Sequence, residues 1–275
     1  MSNELTRRAL LAMSAVLAAG ASLPSLGAVQ TAEGHMRNMM EVPPNAPKVA
    51  MLIYPKMVAL DLIGPMSVFK ILRCDVQLVW KEKIAVSTDV GIPFTATQTF
   101  DECPQDVNVL FVPGGLMGTI ECMNDPVVCS FLADRGSRAK WVTSVCTGSL
   151  ALGAAGLLKG YDATSHWAVA DLLPLMGARH VSRRVVRDRN RMTGGGVTAG
   201  IDFGLMIAAE LKGEEEARRV QLILEYNPQP PFKNGSPEQA GAERVEKMRQ
   251  RRGYMDAIAR NAAEAAGKRI NAVSS

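Results

Sequence analysis

The chain has 275 residues, 47% hydrophobic and 21% charged, with a formal net charge of +4. That length holds one good-sized core. The charge is too mild, and aromatics at 5% too scarce, for a dedicated nucleic-acid or carbohydrate surface.

Thr6, Arg7 and Arg8 precede an apolar stretch from Ala9 to Ala21, and Ser25-Leu26-Gly27-Ala28 follows. This is the pattern of an export signal peptide over residues 1–28, too short for a convincing membrane anchor. The paired arginines, with Leu10 two places after the second, fit the twin-arginine route. A periplasmic or secreted protein is expected, with no stable membrane insertion after processing. Residues 29–47 are methionine-rich and then proline-rich (Pro43, Pro44, Pro47), as in a flexible spacer.

From Lys48 the pattern changes. Residues 48–54 form a continuous apolar strand ended by Pro55. Asp61 to Pro65 predicts a turn and Met66 to Ile71 a short helix. Val76 to Trp80 is a second strand, with edge strands or hairpin pieces at 84–87 and 93–100. Val107 to Val112 is a buried-type strand running into the sharp turn Pro113-Gly114-Gly115. Asp125 caps a helix from Pro126 to Arg135, with proline at its first position. Lys140 to Val145 is the next buried strand, and Thr147 to Leu158 a small-residue helix closed by Gly160. A short strand at 163–165 and a helix at 167–176, closed by Gly177, follow. Residues 181–187 and 190–193 read as a strand pair. Their arginines (183, 184, 187, 189 and 191) form a solvated face rather than a nucleic-acid footprint. Gly194-Gly195-Gly196 leads into a helix from Ala199 to Leu211. Another spans 214–226, then come a Pro/Gly-rich loop at 227–237 and a charged terminal helix from 238 to about 265.

Strands alternating with helices predict an α/β fold with a mostly parallel sheet covered on both faces. Such sheets place their sites at the carboxyl ends of strands. Three turns lie there: Asp61–Pro65, Gly114–Gly118 and Cys146–Gly148.

The five cysteines are Cys74, Cys103, Cys122, Cys129 and Cys146. An odd number leaves at least one unpaired thiol, and no CxxC pair marks a redox or metal site. Cys146 stands out because it follows a buried strand and precedes a helix, the geometry of a nucleophile elbow. The helix N-terminus favours its thiolate. The plainer alternative is a core cysteine. Thr147 offers a first-turn N–H to developing negative charge and a hydroxyl to water, or is a simple cap. Asp61 is placed to share a proton with the thiol or activate water, or to close an Asx turn. Gly114 and Gly115 form a backbone nest with donors for a substrate. His166 serves either as base and substrate contact or as a backbone-bonded helix start. No residues have metal-ligand spacing, and no dinucleotide or phosphate loop is present.

These segments together resemble the ThiJ/PfpI superfamily of class-I-glutaminase-like domains, and within it the isonitrile hydratases. The resemblance runs from about Val49 to Pro237. It is carried by Leu60-Asp61-Leu62-Ile63-Gly64-Pro65, Val112-Pro113-Gly114-Gly115, Val142 to Leu150 (through Cys146-Thr147-Gly148), Ala163-Thr164-Ser165-His166-Trp167 and Thr198-Ala199-Gly200-Ile201-Asp202. A softer match covers Tyr226-Asn227-Pro228 and the segment to Pro237. The resemblance implies a flavodoxin-like three-layer sandwich with a nucleophile elbow, usually dimeric and without a cofactor. It implies a catalytic domain at 48–237 and leaves 238–275 as a helical extension. It further implies hydration of a small-molecule isonitrile by Cys146, Thr147 and Asp61; Gly114, Gly115 and His166 remain candidate substrate or oxyanion contacts from the reading of the residues themselves. Another thiol chemistry of the superfamily (glyoxalase- or amidase-like) and a non-enzymatic ligand or redox sensor are the alternatives.

Overall fold

The computed structural model describes residues 41–273, so the export signal and residues 29–40 of the spacer lie outside the described residues. Seven strands form the main sheet. In chain order they are β1 (Lys48–Leu52), β2 (Asp75–Trp80), β5 (Gln98–Thr99), β6 (Val109–Val112), β7 (Trp141–Ser144), β10 (Val185–Asp188) and β11 (Arg191–Gly194). Their spatial order is β10-β11-β7-β6-β1-β2-β5. Only the β10–β11 pairing is antiparallel; the rest of this sheet is parallel. β3 (Ala85–Ser87) and β4 (Pro93–Thr95) form a separate hairpin, and β8 (Asp162–Ala163) pairs with β9 (Arg179–His180). β1 sits between β2 and β6, with Val49 opposite both Val76 and Val109. Its residues from Val49 to Leu52 are fully buried, as a strand covered on both faces requires.

One helix layer contains α1 (Ala59–Ile71), α5 (Ala199–Lys212) and α6 (Glu214–Ile223). The other contains α2 (Leu116–Asn124), α3 (Pro126–Arg138), α4 (Gly148–Ala154), the 3₁₀ helix Ala170–Met176 and the terminal α8 (Ala242–Val273). A four-residue α7 (Pro237–Ala240) precedes α8. α8 packs on α2, α4 and the 3₁₀ helix. Ala259, Ala262, Ala263 and Ala266, spaced on one helix face, are its buried stripe.

Three expectations about local structure are corrected. Asp61 to Pro65 is not a turn; it lies within α1, with Asp61 in the first turn and Pro65 inside the helix. Proline there removes a helical hydrogen bond, yet the segment is fixed by packing against α5. A side chain at Gly200 of α5 would begin 3.2 Å from the Pro65 ring. Gly114–Gly118 is not one turn either, because α2 begins at Leu116. The helix after Cys146 ends at Ala154, before Gly156 at φ +78°, rather than at Leu158. The Asp125 cap is as read: its side chain accepts from Val127 N and Val128 N.

The α4 turn needs a bare backbone. A Cβ at Gly148 would lie 2.3 Å from the Val112 carbonyl oxygen and 2.5 Å from that of Pro113. Neither strand end can retreat without breaking the sheet. Gly148→Ala is therefore expected to destabilise the fold by about 1–3 kcal/mol. Gly253→Ala, in open space within α8, should instead stabilise by up to about 1 kcal/mol. Equilibrium unfolding of both variants checks this; equal effects would contradict the packing account.

Candidate active site

β1, β6, β7 and β11 point their carboxyl ends at one spot. β7 ends at Ser144, and Cys146 turns the chain into α4 with φ +54°, a left-handed conformation rare for a residue with a side chain. Such a backbone costs on the order of 1–3 kcal/mol and persists only where its surroundings impose it. Here both backbone groups are held. The Cys146 N–H donates to the carbonyls of Gly194 (3.1 Å) and Gly195 (2.6 Å) at the end of β11. The Cys146 carbonyl accepts from the Ser165 hydroxyl (3.0 Å), the Ser149 hydroxyl (3.3 Å) and the His166 N–H (3.3 Å).

α1 brings Asp61 to the same point. Its Oδ2 accepts from the Gly114 N–H at 2.8 Å, while Oδ1 is buried without a hydrogen-bond partner. Gly114 is the spacer that lets the groups converge. A Cβ on it would lie 2.7 Å from Asp61 Oδ2, from Cys146 Cβ and from Thr147 N alike. Asp61 is fully buried and Cys146 is 5% exposed. Burial pushes the Asp61 carboxyl up from 3.8 to about 6, against the pull of the Gly114 N–H and a hydrogen bond to the thiol. Burial also raises the Cys146 thiol well above its ordinary value, and the negative charge of Asp61 raises it further. The Thr147 N–H and the Arg252 guanidinium work in the other direction. At neutral pH the pair therefore holds one negative charge, on the carboxylate, and one proton on sulfur.

Thr147 sits in a chain of hydroxyls whose direction is fixed. Tyr54 donates to the Pro113 carbonyl at 2.7 Å, so it must accept from Thr119 at 2.9 Å. Thr119 must then accept from Thr147 at 2.9 Å, and Thr147 accepts from the Gly115 N–H at 2.9 Å. The Thr147 proton is thus committed inward, and its hydroxyl faces other groups as an acceptor.

The structure brings Cys146, Asp61, Thr147 and Gly114 together. The N–H groups of Gly114 and Gly115 bind Asp61 and Thr147 rather than standing open as donors. His166 Nδ1 accepts from the Ala168 N–H at 3.3 Å. A neutral ring then carries its proton on Nε2 and acts as a donor there. Burial and the Arg252 charge both favour that neutral form.

Tyr54, Thr119, Ser165 and Arg252 escaped the sequence reading. Thr119 lies in the unrecognised α2. Arg252 lies in the charged run of α8, where an ion pair with Asp256 at 3.1 Å looks like any i,i+4 surface pair. Among the described residues no group of three or more His, Cys, Asp or Glu side chains could hold a metal ion. All five cysteines are free thiols.

The DJ-1/PfpI family model matches residues 47–210. The isonitrile hydratase of Pseudomonas putida is 48% identical over 205 residues, covering 74% of this chain and 89% of that protein. The Parkinson disease protein 7 homolog of Danio rerio is 32% identical over 152 residues, covering 54% of this chain and 78% of that protein. A solved ThiJ/PfpI family protein from Pseudomonas syringae superposes with a TM-score of 0.78 at 43% identity. It covers 89% of this chain and 98% of its own, so the likeness extends past the residues matched by the family model. With the family model spanning more than half of its length, and the buried thiol at a strand-to-helix elbow, this chain belongs to the DJ-1/PfpI family.

Proposed function

We infer that the protein is a cysteine-dependent isonitrile hydratase, adding water to R–N≡C to give the N-substituted formamide R–NH–CHO. The observation that carries this is the convergence of the Cys146 side chain and the Asp61 carboxyl on Gly114, where a Cβ would lie 2.7 Å from both Cys146 Cβ and Asp61 Oδ2. Hydrating an isonitrile places a proton and a nucleophile on the same carbon. A nucleophile and an acid must therefore face one atom, as Cys146 and Asp61 do. The similarity to a named isonitrile hydratase over most of its length supports the same reading.

In this mechanism the Asp61 carboxylate takes the thiol proton as sulfur attacks the terminal carbon. It returns that proton to the same carbon, giving the thioimidate R–N=CH–S–Cys146. The Thr147 N–H stabilises the charge that passes through sulfur. Asp61, again ionised, then deprotonates a water oriented by the Thr147 hydroxyl as acceptor. The hydroxide adds to the thioimidate carbon and Asp61 protonates the nitrogen. Cleavage of the C–S bond forms the formyl group, and the hydroxyl proton passes back to sulfur. Neither step uses a cofactor.

A redox sensor is poorly served by this site. Sensor thiols are exposed and have lowered pKa values, whereas Cys146 is buried and its pKa is raised. The same reading includes export, on the strength of Arg7, Arg8 and the apolar stretch that follows, and a homodimer of mature chains. N-terminal sequencing of protein from a periplasmic fraction should find a start near residue 29; a start at Met1 would contradict export.

Formamide production from cyclohexyl isocyanide should fall by at least about a thousandfold in Cys146→Ala and by about a hundredfold or more in Asp61→Asn. Full turnover by folded Cys146→Ala would refute the mechanism. Removing the Asp61 charge should also shift the pH midpoint of Cys146 alkylation by iodoacetamide downward, because that charge raises the thiol pKa.

Stability carries the same signature. The Asp61 carboxyl titrates at about 6 in the fold against 3.8 free, so folding favours its protonated form. Ionisation should destabilise the protein as pH rises from about 4 to about 6, with the loss complete above that window. Asp61→Asn lacks this loss. Its unfolding free energy relative to wild type should rise across the window by up to about 3 kcal/mol and then level off. Parallel stability curves would contradict the assignment.

A further inference from the structure

A cleft of about 840 Å³ lies next to the main chain that holds the elbow. None of Cys146, Asp61 and Thr147 lines it. Ser165 and Gly195 do, and both are bonded to the Cys146 main chain. The cleft therefore stands apart from the reacting groups. Its volume is in the range that holds a whole small molecule. Four chain segments build it: 164–167 after β8, 180–184 from β9 toward β10, 195–198 between β11 and α5, and 230–239 leading into α7. The first three are tied together by main-chain bonds. Val181 N donates to the Ala163 carbonyl at 2.9 Å, and Gly195 N donates to the Arg184 carbonyl at 2.8 Å. Thr164 N donates to the Thr193 hydroxyl at 2.8 Å. Binding groups carried on such a frame are largely pre-organised.

The polar groups of the cleft are short of partners. Arg184 is committed to Asp202, with Nη2 at 2.6 Å. Arg183 and Lys233 also line the cleft, yet neither side chain has an ion pair or hydrogen bond among the described residues. Thr164 is only 3% exposed, and polar groups buried that deeply are normally hydrogen-bonded. Its hydroxyl has no such partner among the described residues. The cleft has one carboxylate of its own, Glu238, held at the start of α7 by its own backbone N–H and Ser236. Two unpaired cations against one carboxylate leave a single positive charge, which matches a carboxylate ligand better than a doubly charged phosphate. Trp167, Val197 and Phe232 supply apolar walls, and Phe232 is 74% exposed. Unpaired cations beside an uncovered aromatic ring suit an anion that carries an apolar body.

We propose that this cleft is a second binding site, for a small carboxylic acid with an apolar or aromatic body. Arg183 and Lys233 are the counter-ions of its carboxylate, and the Thr164 hydroxyl is a further hydrogen-bond partner. Neither role depends on the hydratase reading.

The test is calorimetry on the full-length protein with 4-phenylbutyrate and its uncharged amide. The acid should bind at least about tenfold more tightly than the amide. In the Arg183→Gln/Lys233→Gln double variant the two should bind alike. In Thr164→Val the acid should weaken by about threefold or more. Arg183 and Lys233 are exposed, and thermal unfolding checks that both variants fold. Protein alkylated at Cys146 with iodoacetamide should keep its affinity for the acid. No binding of the acid at about 10 mM, equal affinity for acid and amide, or a preference that survives the double substitution overturns the proposal. So does full affinity in Thr164→Val, or loss of binding on alkylation, which would put the acid at the thiol instead. Turnover enters none of these measurements, so they stand or fall separately from the hydratase reading.

Discussion

A carboxyl and a thiol buried in contact can carry one negative charge between them at modest cost, but not two. Desolvation penalises each charge, and each charge penalises the other. The rest of the site follows from that restriction. The single charge sits on Asp61, where the Gly114 N–H supports it. The single proton sits on Cys146, where it is available for transfer. A reaction that first moves that proton and then restores it matches such a pair, because no net charge enters or leaves the buried volume during turnover.

The fold maintains this arrangement by fixing the backbone at each group and by side-chain hydrogen bonds that hold that backbone in place. Cys146 is clamped at positive φ between the end of β11 and the Ser165–His166 segment. Asp61 is set by α1, whose Ala59 N–H is bonded by the Asp89 side chain at 2.9 Å. Thr147 is locked by a hydroxyl chain ending at the Pro113 carbonyl, next to Gly114. Asp61 thus comes from the chain that follows β1, and Cys146 and Thr147 from the turn that follows β7, so the sheet register sets their spacing. The terminal helix α8 lies beyond the residues matched by the family model. Its buried alanine stripe seats it on α2 and α4, and its Arg252 is the cation that opposes the charge of Asp61 at the thiol.

Much of this was legible in the sequence. Buried-type strands ending at Val112 and Val145, the Asp125 cap and the elbow at Cys146 all follow from local patterns. Cys146, Thr147 and Asp61 were singled out by their positions after strands. What was missed depends on tertiary contacts. Gly64-Pro65 looks like a turn, and becomes helix because α5 packs against it. Thr119 belongs to a helix hidden behind glycines, and its place in the hydroxyl chain depends on Tyr54 from β1's far end. Gly114 and Gly115 looked like open donors; only the assembled site shows that they serve its own side chains. No local signal separates Arg252 from the other charges of α8, because its significance lies wholly in what α8 packs against.

Trapping the covalent intermediate tests the central claim most directly. Rapid quenching of wild-type protein with cyclohexyl isocyanide, followed by peptide mass spectrometry, should show the Cys146 peptide heavier by one isocyanide molecule. That species should decay as formamide accumulates. Formamide production with no modified Cys146 peptide, or an adduct that persists unchanged while product forms, would contradict the account.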